Sequence, residues 1–378
     1  MAKRGNGAGS IYHRKSDNKW VGSITLENGK RKVFYGKTQK EVQDKVNDAL
    51  YEQQRGTLVT APNEPLKDFL TRWLEEVCTP SNKRVSTYVK YKKTIEAYII
   101  PAIGRIPLQK LEPIQVKRLC NNQLKRGLSA KMVIEIHGLL HKALDDAVKW
   151  GLVGRNVCDL VERPRLEEKE KPLLTKEQSL VLLESVKQHR LGVILLVVIT
   201  TGMRRGELLA LRWSDVDLEK GTLLVNKTVD YIPHYGYVEN GAKTKSGKRT
   251  IGLAAFVVEI LKAHKEKQQK LKAKVGTKWV EKNLVFSGLT GDYFSPNYLL
   301  RLFKKVLADA GLPHMRFHDL RHSAATILLA MGIHPKVVQE LLGHSSFLIT
   351  MNLYGHVFPS MLDEVVEKWN KEFNNDNI

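Results

Sequence analysis

Apolar residues are interspersed with polar ones across residues 19–26 and 30–35, and Asn28-Gly29 separates the two runs. A period of two buries one face of a strand, while Asn-Gly readily takes the positive φ angles of a tight hairpin. Residues 10–14 add a short third strand. Thr38 followed by Glu41 makes a capping box, so a helix is expected from there to about Gln54. Three strands with a helix behind them should therefore open the chain.

Beyond residue 61 the apolar period lengthens to that of a helix. Leu66, Phe69, Leu70, Trp73, Leu74 and Val77 fall on one stripe. Ser86 is expected to cap a second helix, which carries Lys90, Lys92 and Lys93 beside Tyr88, Tyr91 and Tyr98, and Pro101 to end it. Glu112-Pro113 opens a third helix, and residues 129–150 form a fourth that Gly151 closes. Residues 161–172 are charged, framed by prolines and without apolar periodicity, as an exposed linker is.

After the linker, Thr175 to Gln178 is another capping box. Residues 191–200 read as a fully buried helix that Thr201-Gly202 ends, with Arg204 in the first turn of the next. A strand is expected at 221–226, then a hairpin over 237–253 with Gly247 near its tip and the basic run 243–249 upon it. Helices follow at 255–274 and 295–310, with a short apolar piece at 284–286 between them. Asp319 should cap a helix to about Met331, Pro335 should open another that Gly343 closes, and Ser345 or Ser346 should begin the one bearing Tyr354. Leu362, Val365, Val366, Trp369 and Phe373 make a final amphipathic helix. The fold expected is multidomain. A three-stranded β plus helix module spans 1–60, an all-α domain spans 61–165, and 166–378 is mainly α with a small antiparallel sheet.

Charge changes the picture from fold to partner. Lys and Arg number 61 against 40 Asp and Glu, a net +21 in 378 residues, which favours a polyanion. Against a membrane as that polyanion, the longest uncharged apolar run, residues 191–201, covers about half a bilayer. The charged start, Met1 to Gly5, has no apolar region after it, so no signal peptide is expected. Cys78, Cys120 and Cys158 are odd in number and far apart, which suits buried thiols in a reducing compartment. A three-stranded basic sheet can enter a DNA major groove, and lysine-rich helices can hold a duplex backbone. Both features also occur on ordinary solvated surfaces.

Two segments carry chemistry that packing does not require. Residues 201–207 contain Arg204, Arg205 and Glu207, and residues 318–354 contain His318, Arg321, His322, His344 and Tyr354. Cleaving a phosphodiester takes a nucleophile, cations for the non-bridging oxygens and a proton for the departing oxygen. Tyr354 fits the first task. Arg204 and Arg321 fit the second, because a guanidinium fork matches two phosphate oxygens. Lys243, Lys245 and Lys248 compete for the third. His318 suits acid–base work, His344 suits a hydrogen bond to a phosphate oxygen, and Glu207 lies one turn from Arg204 as an orienting group. A phosphotyrosyl ester conserves the bond energy, so neither metal nor nucleotide cofactor is needed. A metal nuclease built on His318, Asp319, His322, His344 and His356 is the rival enzyme, although the arginines would repel a cation. A plain DNA-binding regulator is the non-catalytic rival, and it gives Tyr354 no task.

With those residues in view, the chain resembles the tyrosine recombinases, and among them the integrases of phages and conjugative transposons. Residues 201–208 resemble the family's first box, 318–322 its second, 341–344 its third, and Tyr354 its nucleophile. The resemblance gives the catalytic role to Arg204 rather than Arg205, and makes Lys243 the hairpin lysine, with Lys245 the alternative. It further implies that residues 1–60 bind arm sites on double-stranded DNA and that 61–165 bind core sites, clamping the duplex together with the catalytic domain. The implied working unit is a tetramer joined through the C-terminal helix, exchanging strands through a Holliday junction. DNA-bending and excision factors are implied accessories, and the implied location is the bacterial cytoplasm, on the nucleoid when bound.

Overall fold

The computed structural model describes residues 9–26, 29–54, 58–59, 62–79, 84–166, 172–187, 189–241, 247–343 and 351. Lys243, Lys245, His344, Tyr354 and the C-terminal amphipathic stretch lie outside the described residues. The chain divides into two compact units, Met1–Glu168 and Lys169–Ile378.

The first unit opens with an antiparallel sheet of β1 (Ser10–Arg14), β2 (Lys19–Thr25) and β3 (Arg31–Gly36), in that order, with Tyr12 opposite Val21 and Val21 opposite Tyr35. Helix α1 (Gln39–Gln54) covers one face and buries Val42, Val46 and Ala49 with Ile24 of the sheet. Tyr12, Val33 and Tyr35 remain exposed, with the Arg14 guanidinium 5.1 Å from the centre of the Tyr35 ring.

Next comes a helical body whose apolar stripe behaves as its period predicts. Helix α2 (Leu66–Val77) buries Leu66, Phe69, Leu70, Trp73 and Leu74, and the Trp73 indole donates to Asp146 at 2.8 Å. Helix α3 (Val85–Thr94) starts one residue ahead of Ser86, with Arg84 as the extended residue before it, so Ser86 lies within the first turn and is not the cap. Pro101 does not end the helix either. The chain widens into a π turn at Ile95–Ile99, where the Ile100 N–H reaches the Ile95 carbonyl, and continues as α4 (Ile100–Ile103). A proline lacks the N–H an α-turn would use and crowds the carbonyl behind it. The wider turn ahead of Pro101 accommodates both. Helices α5 (Pro113–Lys125) and α6 (Ala130–Lys149) complete the body, capped by the Glu112–Gln115 box and by Ser129. Cys78, Cys120 and Cys158 are buried and unbridged, and burial pushes the Cys158 thiol up to about 12.

In the second unit, α7 (Lys176–Ser185) begins at the Thr175–Gln178 capping box. Helix α8 (Leu191–Thr201) is the buried axis and ends at Gly202 in the left-handed conformation, φ 62°. Helix α9 (Arg205–Ala210) follows at once, with Arg204 as its extended N-cap rather than inside its first turn. Strands β4 (Val216–Asp217), β5 (Thr222–Val225), β6 (Lys227–Ile232), β7 (Gly236–Gly241) and β8 (Arg249–Gly252) form two small sheets, β4-β5-β8 and β6-β7. This corrects the hairpin expected over 237–253. The hairpin lies earlier, between β6 and β7, with Tyr231 opposite Tyr237 and their rings 5.2 Å apart, whereas β8 pairs back onto β5. The turn is made by His234 and Gly236, both at positive φ, which the Asn-Gly rule does not detect.

Helices α10 (Ala255–Val275) and α11 (Pro296–Asp309) enclose the core with α8. Helix α12 (Asp319–Ala330) has Asp319 inside its first turn, reaching back to accept the Arg316 N–H at 2.9 Å, so His318 and not Asp319 is the boundary residue. Helix α13 (Pro335–Leu342) closes at Gly343, again left-handed. Among the described residues no helix is long and apolar enough to cross a membrane.

Candidate active site

The last turn of an α-helix leaves its carbonyls without helical partners, and the helix dipole makes that end negative. Three successive carbonyls at the end of α13 each take a different arginine. Leu341 O accepts from Arg249 Nε at 2.7 Å, Leu342 O from Arg321 Nη2 at 2.5 Å, and Gly343 O from Arg204 Nη2 at 3.1 Å. Arginines from three remote parts of the chain therefore meet at one helix terminus. Arg321 is also held by Gly202 O at 2.7 Å, which lies at the left-handed end of α8.

One carboxylate balances the three cations. Glu207 Oε1 accepts from Arg204 Nη1 at 2.7 Å and Oε2 from the Arg204 backbone N–H at 2.9 Å. Arg249 closes on the same carboxylate with Nη2 at 2.9 Å and Nη1 at 3.3 Å. Burial alone would push the Glu207 pKa up, but the Arg249 and Arg204 guanidiniums hold it below the usual carboxylate range. For Arg321, burial, reinforced by the nearby charges of Arg204 and Arg249, pushes the pKa down to about 9, still well above neutrality. Among the described residues, three positive charges against one negative leave a surplus of positive charge, which favours an anion.

Exposure separates their tasks. Arg321 is 2 % exposed and braced from two sides, whereas the Arg204 side chain is 38 % exposed. Of the two, Arg204 is the one open to solvent, and Arg321 is enclosed behind the ends of the two helices. His318 stands exposed at the start of α12, one turn ahead of Arg321, with its ring 5.2 Å from that of His322 at an angle of 89°. Lys248 is exposed beside β8. Among the described residues no three His, Cys, Asp or Glu side chains gather as metal ligands would.

The glycines of residues 201–207 are there for close approach. A Cβ on Gly206 would lie 2.3 Å from Thr228 Oγ1 of β6, so α9 can press on that strand only with glycine at this position. Arg249 was not among the residues the sequence singled out for chemistry, although a signal was present. It shares a strand face with Ile251, which is 2 % exposed, and a basic residue in phase with the core implies a buried partner.

Residues 172–361 match the phage integrase family, and residues 66–124 match the N-terminal SAM-like domain of phage integrases. A tyrosine recombinase XerC-like protein of Caldanaerobacter subterraneus subsp. tengcongensis is 34 % identical over 396 residues, covering 99 % of this chain and 100 % of the relative. Among solved structures, the Tn1549 transposon integrase in complex with transposon right end DNA has a TM-score of 0.68 at 19 % identity, over 80 % of this chain and 100 % of that one. A lambda integrase tetramer bound to a Holliday junction has a TM-score of 0.57 at 19 % identity, over 93 % of this chain and 96 % of that one. At those identities the two structures establish the shared fold.

Proposed function

This chain belongs to the phage integrase family, tyrosine recombinases that cut and rejoin DNA, and from that premise we propose that Tyr354 carries the strand exchange. The Tyr354 hydroxyl attacks the scissile phosphorus, forms a 3′-phosphotyrosyl ester and releases a 5′ hydroxyl. Attack of another strand's 5′ hydroxyl on that ester frees the tyrosine and completes the exchange. One phosphodiester is consumed and one restored, so no external energy source enters the balance. Arg204 contacts the non-bridging oxygens as their charge redistributes, and Arg321 supports it from behind. His318 handles the tyrosine proton, Lys243 protonates the departing 5′ oxygen, and His344 donates to a phosphate oxygen.

One observation carries this reading. A partly exposed arginine stands on a buried one at a helix terminus, with more positive charge than the local carboxylate balances. The remaining assignments follow the family's organisation. The exposed aromatic and basic face of the β1–β3 sheet suits arm sites, and the lysine-rich helices of the first unit suit core sites. We place the enzyme on bacterial DNA as a tetramer linked through its C-terminal segment, passing through a Holliday junction to integrate or excise a mobile element, with DNA-bending and excision factors as accessories. Incubating the protein with nicked core-site DNA tests the chemistry. The wild-type chain is expected to yield a DNA-linked band on a denaturing gel in the presence of chelator, and Tyr354→Phe to bind the same DNA without that band. A covalent band from Tyr354→Phe would reject Tyr354, and cleavage dependent on added divalent metal would favour a nuclease.

A further inference from the structure

We propose that Arg249 is a positioning residue for strand transfer, fixing the catalytic arginine Arg204 through the shared carboxylate of Glu207. The inference rests on the recombinase reading above and adds a residue that the comparisons do not assign.

Three contacts define its place. The Arg249 side chain is 7 % exposed, its Nε donates to Leu341 O at 2.7 Å, and its two terminal nitrogens clasp the two oxygens of Glu207 at 2.9 and 3.3 Å. Arg249 therefore does not face solvent, where a phosphate would arrive. Glu207 uses the same two oxygens to hold the Arg204 backbone and the Arg204 guanidinium. Each oxygen thus receives one donor from each arginine, and neither arginine can shift without moving the carboxylate. Arg249 binds Leu341 O, two residues before the Gly343 O that takes Arg204, so both ends of the relay are tied to the same helix terminus.

The physical need for such a brace is clear. Arg204 is partly exposed on a long side chain, and such a guanidinium loses rotamer entropy when it is held in one pose. Its bonds to Glu207 and to Gly343 O hold that pose only as firmly as the carboxylate itself is held. A carboxylate clamped from behind by a planar fork does not swing, and lysine, a point charge on a flexible stem, cannot clasp both oxygens at once. Misplacing a catalytic group by about 1 Å can cost about 10²-fold in rate.

The test compares Arg249→Gln and Arg249→Lys in the full-length chain, alone and combined with Arg204→Ala. The readouts are the rate of covalent adduct formation on nicked core DNA at saturating DNA, DNA affinity, and helix content by circular dichroism. Arg249→Lys is expected to fold, to bind core DNA as the wild type does, and to form adduct about 10²-fold more slowly. In the Arg204→Ala background the same change is expected to slow adduct formation no further, because the residue it positions is gone. Equal slowing in both backgrounds would make Arg249 a general structural support, and an undiminished rate for Arg249→Lys would remove it from the relay; either result overturns the proposal. If Arg249→Gln fails to fold, the lysine variant and its double mutant carry the comparison alone. A wild-type chain that forms no adduct would defeat the recombinase reading itself, which keeps the two failures distinct.

Discussion

Gly202 and Leu342 stand so close that a Cβ on Gly202 would lie 2.1 Å from Leu342 Cδ2. The same two residues supply the carbonyls that hold Arg321, so the contact between the end of α8 and the end of α13 is also the cradle of a buried guanidinium. Packing and electrostatics are one feature here.

Gly202→Ala should therefore damage both. A side chain must take a left-handed backbone, at about 1–3 kcal/mol, and must push Leu342 aside, at about 1–3 kcal/mol more. Urea unfolding should show a loss in that range, and adduct formation should fall with it because the two carbonyls separate. An unchanged unfolding midpoint would mean that α13 yields freely and does not brace Arg321.

Arg204→Ala and Arg321→Ala should differ in kind. Arg204 is partly exposed, and Arg249 still pairs Glu207 without it, so Arg204→Ala should lower cleavage by about 10²- to 10³-fold while stability changes little. Arg321→Ala should cost activity and stability together, because it leaves the Gly202 and Leu342 carbonyls buried without their donor, at about 1–3 kcal/mol each. Paired measurements of adduct rate and unfolding midpoint separate the two. Equal stability loss from both would contradict the division of tasks read from their exposure.

Much of this was legible in the sequence because it is local. The capping box at Thr175, the Glu112-Pro113 start, glycines at 151, 202 and 343, and the α2 stripe each fix an element within a few residues. Arg204 and Arg321 were legible as a pair because their short segments are chemically odd. Partners chosen across long separations were not. Strand β8 joins β5 rather than β7, and neither the composition nor the turn chemistry of residues 237–253 encodes that choice. The strand phase of Arg249 hints at a buried partner, but Leu341 O and Glu207, which take it, lie 92 and 42 residues away in the chain and only the fold brings them together. Pro101 misled for the opposite reason: a local rule was satisfied by a rarer local solution, the π turn.

The leaving-group lysine can be identified without a structure of the DNA complex. A substrate whose 5′ bridging oxygen is replaced by sulfur departs with little need for a proton. It should restore cleavage to Lys243→Ala while leaving Arg204→Ala slow, since the arginine acts on the non-bridging oxygens. Rescue of Lys245→Ala or of Lys248→Ala, with Lys243→Ala unaffected, would move the role along the basic run.

A last expectation concerns the helical body of the first unit. His137 of α6 is 1 % exposed, and burial, with Arg163 adding its positive charge, holds its pKa below the ordinary histidine value. Facing it, the His141 ring lies 6.2 Å away and is itself paired to Asp145 and Asp159 at 3.1 and 2.7 Å. The unfolded chain therefore takes up a proton at a higher pH than the fold does. The resulting stability is present above a pH of about 6.5 and is lost as the pH falls from there toward the folded value, by at most about 1.4 kcal/mol per pH unit. Hydrogen exchange of the α6 amides in the full chain should show that loss as the pH falls below about 6.5. His137→Leu, which keeps the volume and removes the proton, should flatten the dependence. If protection falls as steeply in His137→Leu, the titrating group is another residue and the burial of His137 is not its source.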